Sequence, residues 1–175
     1  MNWKAPIDLK NDIQGIWWLL SREDRTKEGE QRIDPLLGAD PLGILSYAKT
    51  QFAAQFMKRD RTGDTSNQLI VARENNTSAI GGYDAYFGSY NVNEETGKVA
   101  HTLIGSINPS NIGLTVFREL RVNGDELTIE LETTTPEGEP IVRNLIWQRI
   151  SQKIWFFYRN IEMLSTLEKP VDFKN

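Results

Sequence analysis

Between Gly15 and Ile150 the chain is written largely in short runs that alternate apolar and polar residues, the period-two pattern of β-strands. The run "LTIELETTT" (127–135) is the clearest: Leu127, Ile129 and Leu131 fall on one face, Thr128, Glu130 and Glu132 on the other. In "FAAQFMKR" (52–59), Phe52, Ala54 and Phe56 share a face opposite Ala53, Gln55 and Met57, and "GILSYAKT" (43–50) sets Leu45 and Tyr47 against Ile44, Ser46 and Ala48. Further strands are predicted at "GIWWLLSREDR" (15–25), near Gln31 to Asp34, at "SYNV" and "KVAHTLIGSI" on either side of "NEETGK", at "LTVFRELRV" (114–122) and at "IVRNLIWQRI" (141–150).

The connections are equally legible. "NGDE" (123–126) carries an Asn-Gly pair, which accepts the left-handed backbone of a type I′ hairpin turn. Gly97 does the same service in "NEETGK", and "NPSNIG" and "PEGEP" are turn clusters. Strands at short, even spacing joined in sequence by tight turns predict an antiparallel barrel, because closure removes the exposed edges. Two segments read differently. Leu69, Ala72 and Arg73 are spaced for a short helix or a lid over about 68–80. In "SQKIWFFYRNIEMLSTLEKP", Ile154, Phe157, Ile161 and Leu164 recur at helical spacing ahead of Pro170, which predicts a C-terminal helix packed on the barrel wall, with an additional strand at Ile154–Arg159 as the alternative. The chain therefore reads as a mostly β protein of one domain, 1–175, with its barrel over about 15–150 and a C-terminal extension over 151–175.

Composition narrows the function more than the fold. Twenty Lys and Arg against 24 Asp and Glu give a net charge of −4, and no clustered basic face suggests nucleic acid. The chain has no cysteine, which suits a reducing compartment, and the start "MNWKAPIDLKNDIQG" lacks the apolar core of a signal peptide. The longest apolar runs, "IWWLL" and "IWFF", are too short to span a bilayer. These features predict a cytoplasmic protein with no membrane span. With a single histidine and no cysteine, a zinc or iron site is not expected. Neither a phosphate loop, nor a dinucleotide glycine fingerprint, nor a Gly-x-Ser-x-Gly elbow is present, so no cofactor is expected.

The order of Gly15-x-Trp17-x-Leu19-x-Ser21, "DPLGILSYAKTQFAAQFMKRDR", "GGYDAYFGSYNVNEETGKVAHTLIGSINPSNIG", "NGDELTIE" and "LIWQR" resembles the lipocalin-like domain family, small single-domain proteins of the calycin type. The resemblance runs from about Gly15 to Arg149 and implies a calycin-type antiparallel barrel with a ligand-sized interior. It also implies a structural role for Trp17, since related calycins close one end of the barrel with a tryptophan, and it includes a histidine at the position of His101.

Candidate chemistry then falls on a few side chains. His101 lies on an apolar strand face with Val99 and Leu103, a setting that keeps imidazole neutral and able to act as a base or a hydrogen-bond partner. Arg118 shares a face with Val116, Leu120 and Val122, so it needs either a buried carboxylate or a ligand anion. Tyr86 and Tyr90 share a face with Gly88, and Tyr47 adds a further amphipathic ring. Arg59, Asp60 and Arg61 read as solvated turn charges or an ion-pair lock. The expected function is binding of a small hydrophobic molecule in the barrel by Tyr47, Phe56, Tyr86, His101, Arg118 and Trp147. The alternative is an isomerase or cyclase acting on a hydrophobic biosynthetic intermediate, with His101 catalytic. A homodimer formed through the C-terminal helix is a third expectation.

Overall fold

A computed structural model describes residues 8–61 and 75–150. Its strands are β1 (Gly15–Arg25), β2 (Gln31–Arg32), β3 (Leu42–Tyr47), β4 (Gln51–Met57), β5 (Tyr83–Asn93), β6 (Lys98–Ser106), β7 (Thr115–Asn123), β8 (Glu126–Thr134) and β9 (Pro140–Arg149). Every pairing is antiparallel, and each strand from β3 onward pairs with the next. β9 then returns to β1, so eight strands close into a barrel, while the two-residue β2 hangs on the end of β1. The strands follow the alternating pattern of the sequence, with one extension: β5 begins at Tyr83, well ahead of "SYNV".

The closing seam has a bulge. Leu19 faces Trp147, but Ser21 already faces Ile146, so Leu20 is the extra residue. A bulge advances the strand by one position and swaps its faces. Trp17 and Leu19 therefore point inward before it, and Arg22 and Asp24 point inward after it. One strand thus supplies an apolar lining at one end of the barrel and a charged lining at the other.

The apolar end is capped by a helix that the alternating pattern does not announce. Four residues, α1 (Leu9–Asp12), are too few to hold a helix unaided. The Glu94 carboxylate accepts the free backbone N–H groups of Leu9 and Lys10 at 2.8 and 3.0 Å, and Leu9 and Ile13 are fully buried. Burial of two such side chains contributes roughly 3–6 kcal/mol, enough to fix one turn. Beneath them the Trp17 indole donates to the Ile13 carbonyl at 2.8 Å, and the Arg149 guanidinium lies 4.1 Å from the Trp17 ring. Arg149 also donates to the carbonyls of Gln14 and Asp12. Trp17 is the structural plug expected of it.

At the other end β7 and β8 part. β7 pairs with β8 only from Glu119 onward, although β8 runs on beside β9 to Thr134. Asn75 fills the split. Its side-chain Nδ2 donates to the Glu132 carbonyl at 2.9 Å and its Oδ1 accepts the Phe117 N–H at 2.7 Å, so one amide bridges the two strands. Asn75 adopts φ 54°, a left-handed backbone that asparagine tolerates better than most residues. Of the short helix or lid predicted at about 68–80, residues 75–80 are irregular and contain no helix, and the earlier part lies outside the described residues, as does the predicted C-terminal helix. No helix among the described residues is long and apolar enough to cross a membrane.

Candidate functional site

The six residues singled out by sequence come from six strands and converge. Tyr47 (β3), Phe56 (β4), Tyr86 (β5), His101 (β6), Arg118 (β7) and Trp147 (β9) all line one chamber in the barrel interior. Leu45, Phe52, Ala54, Val116, Ile129 and Leu145 complete its apolar wall. The aromatic rings meet edge to face: Phe52 against His101 at 4.4 Å, Phe56 against Trp147 at 5.5 Å, Tyr47 against Tyr90 at 5.0 Å between centroids. These contacts nearly fill the space. The remaining cavity is about 30 Å³, room for a water or two and not for a drug-sized ligand. The open, ligand-sized interior expected from the sequence is corrected: aromatic side chains occupy it.

The polar groups in this chamber are imperfectly matched. His101 Nε2 and Tyr47 Oη are 2.6 Å apart, and both residues are buried. His101 Nδ1 has no hydrogen-bond partner among the described residues, nor does the buried Trp147 Nε1. Burial, reinforced by the nearby Arg118 charge, pushes the imidazole down to about 3, so it is neutral at physiological pH. Burial drives the Tyr47 phenol well above its ordinary value, with the Tyr86 phenol adding to the effect, so it too is neutral.

Arg118 is the odd member. The sequence left a choice between a carboxylate partner and a ligand anion, and no carboxylate lies within ion-pair distance of it among the described residues. Its three hydrogen bonds all leave from Nη1, to the Asn75 carbonyl and side chain at 3.1 Å each and to the Phe117 carbonyl at 2.8 Å. Burial lowers its pKa from the ordinary guanidinium value.

Toward the charged end lies a larger cavity of about 310 Å³. Along β9 the inward residues pass from Ile141 and Arg143 at this cavity to Leu145 and Trp147 at the inner chamber, so a buried ionic layer divides the two. Arg143 donates to both oxygens of Asp24 at 2.7 and 2.8 Å, and Arg22 donates to Asp34 at 2.7 Å and to Asp24 at 3.3 Å. Burial alone would raise the Asp24 carboxyl, but Arg143 and Arg22 outweigh it and hold it below the usual range. Close by, Asp84 accepts from the Thr77 hydroxyl at 2.6 Å while its Oδ1 has no partner. Burial pushes Asp84 up to about 6.

Sequence reading missed Arg22, Asp24, Asp84 and Arg143. For Arg143 a signal was present, since it alternates with Ile141, Leu145 and Trp147 just as Arg118 does with its neighbours. Asp84 likewise shares a face with Tyr86 and Gly88. Arg22 and Asp24 were hidden by the bulge. Arg59 and Arg61 stay on the surface, with Arg59 paired to Asp40 at 2.9 Å and Arg61 donating to the Gly81 carbonyl. Among the described residues, no cluster of His, Cys, Asp or Glu is placed to hold a metal ion.

A family model described as a lipocalin-like domain matches residues 14–150, which span every strand of the barrel and every residue of the chamber. No curated protein matches the sequence.

Proposed function

The chain belongs to the lipocalin-like domain family, and from that premise and the chamber's chemistry we propose that it binds a small hydrophobic molecule inside the barrel. The observation that carries this reading is the unpartnered Nδ1 of His101, held inside an aromatic wall. A buried polar atom left unsatisfied costs about 1–3 kcal/mol, so a group that merely fills the core gains nothing from it. A ligand polar group in the residual cavity would supply the missing partner, and Tyr47, Tyr86 and Arg118 stand around the same space as further orienters. Because that space is small, binding is coupled to rotation of aromatic walls such as Phe56 and Tyr86.

Titration with the neutral dye N-phenyl-1-naphthylamine tests the proposal. Saturable one-to-one binding with quenching of tryptophan fluorescence is the expected result, and no saturable uptake by the folded chain would overturn it. One observation favours the isomerase or cyclase alternative: the Tyr47–His101 contact in a water-poor chamber. An imidazole at about 3 is a weak base, so in that reading His101 positions the Tyr47 hydroxyl and does not itself abstract a proton. His101→Gln would then abolish turnover of a substrate while its binding persists.

A further inference from the structure

We infer that the ligand carries a single carboxylate, which Arg118 receives inside the chamber; this rests on the binding reading above. The interior supplies its own comparison. Three arginines, Arg22, Arg118 and Arg143, project into the barrel and are buried. Arg22 and Arg143 are matched by Asp24 and Asp34, two cations against two anions within hydrogen-bonding distance. Among the described residues, Arg118 alone of these three bonds only neutral acceptors. A buried cation with no ion pair among the described residues is costly, and it stands on the wall of the cavity.

The guanidinium geometry selects the anion. With Nη1 committed to Asn75 and Phe117, Nε and Nη2 make no hydrogen bond among the described residues. These two N–H groups form the planar edge that receives a carboxylate in a bidentate manner. Asn75, itself pinned between Phe117 and Glu132, fixes the guanidinium from the far side. The groups around Arg118 are the phenols of Tyr47 and Tyr86, the imidazole of His101, the Asp84 carboxyl and the Arg143 guanidinium. Arg143 is already neutralised by Asp24. Asp84, charged at pH 7.5, already sets one anion near Arg118, so a phosphate dianion would add two charges where Arg118 offers one. The remaining wall is aliphatic and aromatic, which suits the hydrocarbon part of a small fatty or aryl acid.

The test compares octanoate with octanamide, a neutral molecule of nearly the same shape, by calorimetry on the full chain at pH 7.5. Octanoate is expected to bind one-to-one and about 10- to 100-fold more tightly than the amide, the range for a hydrogen-bonded charge. In R118Q the two should bind alike. If the wild-type chain binds both equally, the carboxylate inference is overturned and the binding reading stands. Failure of both ligands to bind, with no uptake of the neutral dye, overturns the two together. The wild-type comparison decides the matter even where R118Q does not fold.

Discussion

Arg143 on β9 and Asp24 on β1 face each other across the seam that closes the barrel, register partners joined by two parallel hydrogen bonds of 2.7 and 2.8 Å. Removing one partner of a buried pair strands the other charge. Arg143→Ala is therefore expected to lower stability by about 3–5 kcal/mol, read from urea midpoints at pH 7. Asp24 and Asp34 are both held below their ordinary range in the fold. Their contribution is thus full above the ordinary carboxylate range and lost as pH falls through their folded values. In the Arg143→Ala variant that acid loss should shrink, and an unchanged urea midpoint would show the seam to be held by its backbone ladder alone.

Gly88 is the second seam of tolerance. A Cβ there would collide with the Thr102 carbonyl, because β6 bulges at this point: Gly88 faces Leu103 while Phe87 already faces Gly105. The obstacle is backbone, which cannot swing away as a side chain can. Gly88→Ala should cost about 3 kcal/mol or more. A variant as stable as the parent would mean that the strands slide freely past each other at the bulge.

What the sequence disclosed and what it concealed divide along physical lines. Strand positions, the Asn123-Gly124 turn and the convergence of Tyr47, Tyr86, His101, Arg118 and Trp147 followed from period-two alternation, which sets the face of each residue whatever its neighbours are. Events that reset the phase were not legible. The bulge at Leu20 turned Arg22 and Asp24 inward against the simple pattern. Contacts between distant segments were equally hidden: Glu94 capping α1, or Asn75 bridging β7 and β8, depends on loops that periodicity does not position. Cavity size was beyond reach for the same reason, since a count of aromatic residues does not say whether they line a space or fill it.

Asp84 shifts stability in the direction opposite to Asp24. Its folded value of about 6 lies above the ordinary 3.8, so the folded state holds a proton that the unfolded chain has released. Stability from this group falls as pH rises from about 4 to 6, and at neutral pH the cost is at most about 3 kcal/mol. Asp84→Asn keeps an acceptor for the Thr77 hydroxyl and removes the charge. It should stabilise the protein at pH 7.5 by about 1–3 kcal/mol, with the gain gone near pH 4. Equal urea midpoints for the two proteins at pH 7.5 would place Asp84 in contact with water.

His101 gives the sharpest pH test because the chain has no other histidine. Its folded value, about 3, lies below the ordinary 6.5, so the unfolded chain takes up a proton that the fold refuses. Stability from this group is complete above pH 6.5 and is lost as pH falls toward 3; between pH 7 and 5 the loss is about 2 kcal/mol. In His101→Gln that part of the slope should disappear, leaving the opposing contribution of Asp84 visible on its own. The imidazole Hε1 resonance of the wild-type chain should also stay fixed from pH 8 to 5. A resonance that moves with a midpoint near 6.5 would mean that the ring reaches solvent, and the chamber would then lack the dry interior on which recognition of a single carboxylate by Arg118 depends.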